Sequence, residues 1–158
     1  MKKFRKVAVG GTFDEFHRGH KVLLIKAFEI GEHVLIGLCT DEFVKKMGKP
    51  HVTAPYQERL KELQAFMKKL GLSYKAEIIP LNDTYGNTLT DRCIEALVVS
   101  EETEKIAIKI NQKRREARLP PLTIVTIRMV PAENYKPIST TRIRHGEIDR
   151  EGHLLKRP

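Results

Sequence analysis

The sequence predicts an α/β protein with a Rossmann-like, doubly wound sheet of about five parallel strands and helices on both faces. Short apolar runs alternate along the chain with helical patterns, which is typical of repeated βα units. The apolar runs are rich in Val, Ile and Leu without strict alternation, as expected for strands that helices cover on both sides. A length of 158 residues is enough for one core and too short for two. We therefore expect a single domain over residues 1–158.

The predicted elements begin and end at recognisable residues. Strands are expected at Lys6–Gly10, His33–Cys39, Ala76–Leu81, Ala96–Ser100 and Thr123–Arg128. Helices are expected at Gly19–Ile30, Tyr56–Leu70 and Glu101–Arg118, with a last one beginning near Ser139. Gly31 is expected at the C′ position of the first helix, and Gly71 ends the second. Domains of this class bind ligands beyond the carboxyl ends of their strands.

Charge and composition narrow the classes of partner. The net charge is +9, which favours anionic partners without specifying them. The basic run at 113–118 has two interpretations, a solvated helix face or a nucleic-acid patch. We favour the solvated face, because no aromatic residues interleave the charges as they do in single-strand binders. Nucleic acid is therefore not an expected partner.

The sequence gives no indication of a membrane or a secretory pathway. No stretch approaches the roughly 18 consecutive apolar residues that a membrane helix needs. The apolar run near the N-terminus is too short for a secretory segment, so a cytoplasmic location is expected. Cys39 and Cys93 are isolated and have no zinc-binding spacing to the histidines.

Four predicted helix starts differ in their charge. A helix N-terminus carries partial positive charge, so stability favours Ser or Thr followed by Asp or Glu. The junctions Thr40-Asp41-Glu42 and Ser100-Glu101-Glu102 follow this rule. Two others, at 17–21 (HRGHK) and 139–145 (STTRIRH), place basic residues there instead. Exposed cations at such positions cost about 0.3–1 kcal/mol each. We infer that both corners face a shared anion, held by backbone N–H groups and neutralised by side chains; a phosphate chain is the natural candidate.

The first corner carries two histidines three residues apart. His17 and His20 are expected on one side of the first helical turn, while Gly10, Gly11 and Gly19 leave room for a ligand to approach the backbone. The spacing matches neither the H-E-x-x-H zinc motif, the Walker loop nor the dinucleotide fingerprint. Imidazole N–H groups, a lysine and helix N-termini suffice for nucleotidyl transfer, in which an acceptor phosphate attacks the α-phosphorus in line.

The run GGTFDEFHRGH at 10–20 resembles the signature of the HxGH nucleotidyltransferase superfamily, and ISTTRIR at 138–144 resembles its second motif. The stretches ALVVSEET, NQKRREARLPPL and PISTTRIRHGEIDREG are similar to the archaeal phosphopantetheine adenylyltransferases and to the matching domain of eukaryotic bifunctional coenzyme A synthase. The resemblance runs from about Val7 to Gly152. It implies transfer of the adenylyl group of ATP to 4′-phosphopantetheine, giving dephospho-coenzyme A and pyrophosphate. Coenzyme A is implied as a product-like ligand, and Mg²⁺ is expected to be held mainly through the ATP phosphates and water.

The resemblance also implies roles for individual residues. By this resemblance His17 and His20 are expected to bind the nucleotide phosphates, and His20 to stabilise the transition state. The wider phosphate-binding set comprises Gly11, Thr12, Phe13, His17, Gly19, His20, Ser139, Thr140, Thr141 and Arg142. Relatives use a lysine in the loop after the second strand, where Lys45, Lys46 and Lys49 compete and we favour Lys46 or Lys49.

Acceptor binding is assigned to Thr12, Arg59, Asp83 and Tyr85. For Arg59 an exposed helix arginine is an equally good interpretation, and the 82–86 loop is either part of the pantetheine pocket or a simple turn. No residue is assigned as a metal ligand, and Asp14 is interpreted as a loop cap. The bacterial enzymes have an R-G-L-R segment after the fourth strand, where this chain has Ser100 and two glutamates.

Three alternative functions remain at this stage. Cytidylyltransferases of this type carry R-T-x-G before I-S-T-T, whereas this chain has Glu133-Asn134-Tyr135-Lys136-Pro137. Transfer to nicotinamide or flavin mononucleotide is the second alternative. A basic nucleic-acid-binding domain is the third, and it would show salt-dependent binding without release of pyrophosphate.

Overall fold

Five parallel strands form a single sheet in the order β3-β2-β1-β4-β5. The computed structural model describes residues 2–49 and 52–155. The strands are β1 (Phe4–Gly11), β2 (Gly31–Cys39), β3 (Ala76–Leu81), β4 (Ala96–Ser100) and β5 (Thr123–Ile127). Each of them overlaps a predicted strand, and the bounds of β3 and β4 are those expected. The doubly wound fold is therefore confirmed.

Five α-helices connect or follow the strands. They are α1 (Arg18–Ile30), α2 (Asp41–Met47), α3 (Tyr56–Lys69), α4 (Glu104–Glu116) and α5 (Thr140–Arg144). The helix predicted at Glu101–Arg118 is divided, because Glu101–Thr103 forms a tight 3₁₀ turn before α4 begins. In that turn the Ser100 backbone N–H donates to Thr103 Oγ1 at 3.1 Å. None of the helices in the described part of the chain is long and apolar enough to cross a membrane.

Successive strand residues point to opposite faces of the sheet, and each face has its own apolar core. Val7 and Val9 of β1 pack with α1 and α3 on one face. Ala8, between them, belongs to the core under α4 on the other face. This period of two explains why the strands read as nearly continuous apolar runs.

Gly31 differs from its predicted role. It has φ −114° and begins β2, so it does not adopt the left-handed conformation expected at C′. A Cβ at this position would lie 2.7 Å from Val7 Cγ2 and 3.1 Å from the Ala27 carbonyl oxygen. Glycine is therefore required here by the close packing of α1 against β1, and not by the backbone conformation. Gly71, by contrast, has φ +70° and ends α3 as predicted.

The basic run at the end of α4 is only partly a solvated face. Arg114 is fully buried. Its Nε donates to the Pro120 carbonyl at 2.8 Å and its Nη1 to the Thr88 carbonyl at 2.7 Å. Asn111 exchanges two hydrogen bonds with the Leu122 backbone, at 2.9 and 2.7 Å. Part of the charge in this segment therefore anchors α4 to neighbouring loops.

All strands are parallel, but the side on which successive strands are added to the sheet changes between β1 and β4. The β1–β2–β3 half extends from β1 to one side, and β4–β5 extends to the other. In open parallel sheets such a switch point leaves a crevice at the carboxyl ends of the central strands. The residues after β1 are therefore placed at the position where the fold favours ligand binding.

Candidate active site

A cavity of about 820 Å³ lies at the switch point, beyond the carboxyl ends of the strands. Its walls include the ends of β1 and β4 and the starts of α1 and α5. Eleven residues assigned from the sequence line it: Gly11, Thr12, Phe13, His17, Gly19, His20, Lys49, Tyr85, Ser139, Thr140 and Thr141. The two basic corners therefore share one cleft, as the charge pattern at the helix starts predicts.

Asp14 joins the two corners directly. Thr140 Oγ1 donates to the Asp14 carbonyl at 2.8 Å. Arg144 forms a two-point ion pair with the Asp14 carboxylate, with both N–O distances 2.8 Å. The same carboxylate accepts from the Ala54 backbone N–H at 3.0 Å. Asp14 is 1% exposed. It caps its loop, as expected from the sequence, by joining that loop to α5 and to the segment before α3.

His17 is the N-cap of α1. Its Nδ1 accepts hydrogen bonds from the backbone N–H groups of Gly19 at 3.0 Å and His20 at 3.4 Å. To reach them the imidazole lies over residue 19, where a Cβ would be 2.8 Å from His17 Cε1 and 3.0 Å from Nδ1. The glycine of the HRGH segment therefore makes room for the first histidine as well as for a ligand.

His20 completes a reciprocal cap. The His17 backbone N–H donates to His20 Nδ1 at 3.2 Å. The two imidazoles are stacked, with ring centroids 3.7 Å apart and planes inclined by 19°. Phe16 packs on the other side of His20 at 5.8 Å. Since Nδ1 is an acceptor in both rings, the neutral form of each carries its proton on Nε2. The pair thus offers two Nε2–H donors.

Both imidazoles are neutral at pH 7. Burial, and secondarily the charge of Arg150, lowers the pKa of His17 from 6.5 to about 4. Burial also holds the pKa of His20 well below 6.5, aided by His17, Lys49 and Arg150. The histidines are therefore hydrogen-bond donors and not the cations that the charge argument from the sequence counted.

The backbone donors of α1 are already used within the protein. Arg18 N donates to the Arg150 carbonyl at 3.0 Å, and the Gly19 and His20 N–H groups donate to His17. This corrects the expectation that backbone N–H groups at both corners hold the anion. At the start of α5, the Thr140 and Thr141 N–H groups have no hydrogen-bond partner among the described residues. That corner alone combines free backbone donors with the helix dipole.

The loop after β1 is held in an uncommon conformation. Phe13 and Glu15 have φ of 52° and 48°, values that cost non-glycine residues about 1–3 kcal/mol each. Thr12 and Phe13 are nonetheless buried. Ion pairs and hydrogen bonds from several segments hold this loop in its strained conformation. Thr12 is thereby placed in the cavity wall.

Arg59 lies outside the cavity, which corrects its assignment to the acceptor. Its side chain is 1% exposed. Nη1 donates to the carbonyls of Thr12 at 2.9 Å and Cys39 at 2.7 Å, and Nη2 pairs with Asp41 at 2.9 Å. Nε donates to the carbonyl of Ala54 at 2.8 Å. Four of its five N–H groups therefore donate within the protein, and Arg59 supports the loop after β1 from outside the cavity.

Arg142 also lies outside the cavity, although the second motif assigns it to the phosphates. Its Nε pairs with Glu147 at 2.9 Å, and its Nη1 donates to the Pro137 carbonyl at 2.8 Å. Its Nη2 donates to Asn134 Oδ1 at 3.1 Å. The hydrogen bonds of the guanidinium therefore hold the 131–137 loop against α5.

Of the remaining assigned residues, some line the cavity and others lie outside it. Lys49 lines the cavity, whereas Lys46 is exposed on α2 and lies outside it. Tyr85 lines the cavity, whereas Asp83 caps its own loop, with Oδ1 accepting from Tyr85 N at 2.9 Å and Gly86 N at 2.7 Å. Two further parts of the cavity wall were not predicted from the sequence: Arg128, directly after β5, and an apolar wall formed by Leu35, Phe43, Met47, Ile79, Leu81, Ile106 and Ile110. Strand-end position was an available signal for Leu81 and Arg128, whereas Phe43 and Met47 lie on α2 and Ile106 and Ile110 on α4, so only the folded arrangement brings them to the cavity.

The walls offer little for direct metal binding. Among residues 2–49 and 52–155, no three His, Cys, Asp or Glu side chains are grouped as a metal site. The Asp14 carboxylate in the wall is engaged by Arg144 and by Ala54 N. A divalent cation would enter as the counter-ion of a nucleotide, held by phosphates and water. The expectation of Mg²⁺ stays a prediction.

Comparison with known proteins places this geometry in a family. The cytidylyltransferase-like family model matches residues 8–146. A phosphopantetheine adenylyltransferase of Methanothermobacter thermautotrophicus is 47% identical over 99% of this chain and 93% of its own length. One from Methanopyrus kandleri is 47% identical over 94% of each chain.

A solved structure from Archaeoglobus fulgidus, described as a protein of unknown function, is 36% identical with a TM-score of 0.69. It covers 77% of this chain and 88% of its own. The 47% identity to the two adenylyltransferases, over nearly the full length of both chains, establishes membership of the same family. The chain belongs to the cytidylyltransferase-like family and, within it, to the group of archaeal phosphopantetheine adenylyltransferases.

Proposed function

We propose that this protein transfers the adenylyl group of ATP to the phosphate of 4′-phosphopantetheine, producing dephospho-coenzyme A and pyrophosphate. The observation that carries the proposal is the shared cleft, in which a neutral histidine pair faces the start of α5. Identity of 47% to phosphopantetheine adenylyltransferases supports the choice of nucleotide and acceptor.

In the proposed reaction an acceptor phosphate oxygen attacks the α-phosphorus of ATP in line. The bond from that phosphorus to the bridging oxygen of the β-phosphate breaks, and pyrophosphate leaves with the electron pair. No protein nucleophile and no covalent intermediate is needed. The protein positions two anions and stabilises the charge that develops on the non-bridging oxygens.

The histidine pair is suited to this charge. Each Nε2–H donates a hydrogen bond without being first protonated, and the caps on Nδ1 hold both rings in place. An anionic phosphate raises the pKa of a neighbouring imidazole, so the donors strengthen when the nucleotide binds. His20, packed between Phe16 and His17, is the group that we assign to the transition state.

The second corner is assigned to the β- and γ-phosphates. Ser139 Oγ accepts from Arg142 N at 3.2 Å, which leaves its O–H free to donate. The N–H groups of Thr140 and Thr141 point from the positive end of a short helix. Thr12 and Lys49 line the cavity, and we assign them to the reacting phosphates, where the acceptor meets the α-phosphate.

The apolar half of the cavity is assigned to the pantetheine arm. Leu81, Ile79, Ile106 and Tyr85 line it. An uncharged chain of amides and methyl groups fits an apolar wall with few polar groups. The arm would then leave its phosphate directed towards Thr12.

A direct assay tests the proposal. The protein is incubated with ATP, Mg²⁺ and 4′-phosphopantetheine, and dephospho-coenzyme A and pyrophosphate are quantified. Parallel reactions contain nicotinamide mononucleotide or flavin mononucleotide as acceptor, or CTP as donor. Turnover of one of those alternatives without formation of dephospho-coenzyme A would refute the proposal.

His20→Ala tests the assigned role of the histidine pair. Loss of one transition-state donor should lower turnover by about 100–1000-fold. The circular dichroism spectrum should be unchanged, because α1 keeps its N-cap acceptor at His17. An active His20→Ala protein would remove this residue from the mechanism.

A further inference from the structure

Residues 147–154 fold back over the start of α1 and are here named the clasp. Ile148 is fully buried and packs with Ala132 and Ile138 in a small apolar cluster. Asp149 Oδ1 accepts from the backbone N–H groups of Glu151 at 2.9 Å and His153 at 2.8 Å. The clasp is therefore an ordered turn with its own anchor.

The clasp contacts the first turn of α1 through its backbone. The Arg150 carbonyl accepts from Arg18 N at 3.0 Å, so it satisfies a donor that the helix leaves free. One turn away, Lys21 Nζ lies 3.2 Å from Glu151 Oε1. These two contacts flank Gly19 and His20, so a displacement of the clasp would be transmitted to the histidine pair.

The side chain of Arg150 ties the clasp to two other segments. Its Nε and Nη2 lie 3.1 and 3.0 Å from Glu15 Oε2, and its Nη1 lies 3.0 Å from Glu62 Oε2 on α3. Glu15 belongs to the strained loop between β1 and α1 and also contacts Arg144 at 3.3 Å. The guanidinium thus joins the loop after β1 to α3, while the backbone carbonyl of the same residue contacts the start of α1.

We propose that Arg150 is a positioning residue of the adenylyl transfer: its bridge from Glu15 to Glu62 holds the clasp on α1 and thereby orients His17 and His20 towards the phosphates. This inference rests on the proposed function for its catalytic part. Arg150 does not line the cavity, so it acts through the histidines and not by touching the substrate.

The exposure of Arg150 separates positioning from stability. Its side chain is 44% exposed, and ion pairs of such exposure contribute little to the free energy of unfolding. Transfer rates, by contrast, respond steeply to small displacements of the groups that meet the reacting phosphates. The positive charge of Arg150 also contributes to the low pKa of both histidines, which independently places it within electrostatic reach of them.

Arg150→Gln tests the proposal. We expect kcat for dephospho-coenzyme A formation to fall about 10–100-fold. The KM for phosphopantetheine should stay near that of the wild type, because the apolar wall is not touched. The pKa values of His17 and His20, followed by NMR titration of the imidazoles, should rise towards 6.5. A merely structural role would leave kcat per folded molecule unchanged, whereas the titrations would shift in either case because Arg150 is a cation near both rings.

Three further variants complete the test. Lys26→Gln removes a cation of similar exposure, 41%, from a later turn of α1 and should behave as the wild type. Glu62→Gln should reproduce part of the loss, and combining it with Arg150→Gln should add little, because both break one bridge. Arg150→Lys keeps the charge and should lie between the wild type and Arg150→Gln, which also covers a failure of the glutamine variant to fold.

The outcomes separate this inference from the proposed function. Wild-type kcat in Arg150→Gln, or an equal loss in Lys26→Gln, would overturn the positioning role. The imidazole titrations require no turnover. If the wild-type protein forms no dephospho-coenzyme A but the titrations shift in Arg150→Gln as expected, the proposed function fails while the electrostatic influence of Arg150 on the histidines stands.

Discussion

Gly19→Ala should separate catalysis from stability at the histidine pair. The new Cβ would lie 2.8 Å from His17 Cε1 and 3.0 Å from His17 Nδ1, closer than van der Waals contact allows. The imidazole must therefore turn away. It would give up its hydrogen bonds from Gly19 N and His20 N and its 3.7 Å stacking on His20.

The two effects on stability should nearly cancel. Loss of an N-cap costs about 0.5–2 kcal/mol. Replacement of glycine by alanine inside a helix gains about 1 kcal/mol. We therefore expect the free energy of unfolding, measured in urea, to change by no more than about 1 kcal/mol. Turnover should fall about 100-fold, because a donor displaced by the order of 1 Å no longer meets the transition state.

The assay is the rate of dephospho-coenzyme A formation beside urea unfolding of the same sample. Glu29→Ala, at an exposed position of the same helix, is the matched control and should leave the rate unchanged. An imidazole NMR spectrum should show the change at His17. Full activity in Gly19→Ala, or a loss of rate that only follows a loss of folded protein, would refute the explanation of this glycine.

Three other predictions concern stability. The pKa of His17 is about 4 when folded and 6.5 when unfolded, so the unfolded chain takes up a proton first as the pH drops across this interval. His17 alone should lower the free energy of unfolding by about 3 kcal/mol, and the lowered pKa of His20 acts in the same direction. His17→Asn keeps a cap and should flatten this slope in urea titrations at several pH values; an unchanged slope would contradict the assignment. Arg59→Met leaves the carbonyl oxygens of Thr12, Cys39 and Ala54 without their donor and should cost about 3–5 kcal/mol in chemical unfolding, since each buried acceptor left unpaired costs about 1–3 kcal/mol; a near-neutral result would show that water replaces the guanidinium. Gly31→Ala places a Cβ 2.7 Å from Val7 and should cost about 1–3 kcal/mol, and a wild-type urea midpoint would mean that α1 shifts freely.

Much of the fold follows from local pattern. All five strands overlap their predicted ranges, because apolar β-branched runs between helix caps have few other solutions. Thr40 caps α2, with its Oγ1 accepting from Phe43 N at 3.2 Å, and Ser139 caps α5. The errors lie at helix ends, where the tight turn before α4 depends on hydrogen bonds from Ser100 and Thr103.

The family assignment was also available from sequence and is confirmed by the comparisons. The GGTFDEFHRGH and ISTTRIR runs identify the superfamily, and the later stretches select the adenylyltransferases over the cytidylyltransferases. Residues 147–152 of the clasp belong to the last of those stretches. The sequence marked them as characteristic without indicating what they contact.

What the sequence by itself determined is the order of the elements, the placement of two basic corners at strand ends, and the pairing of two histidines around a glycine. Only the tertiary structure decided the charge and orientation of these groups. His17 and His20 are neutral because burial removes water from them. Arg59 and Arg142 donate their hydrogen bonds to loops that fold against them. Arg150 reaches Glu15 across 135 positions of chain. Hydration and long-range contact are properties of the folded arrangement, so no local pattern contains them.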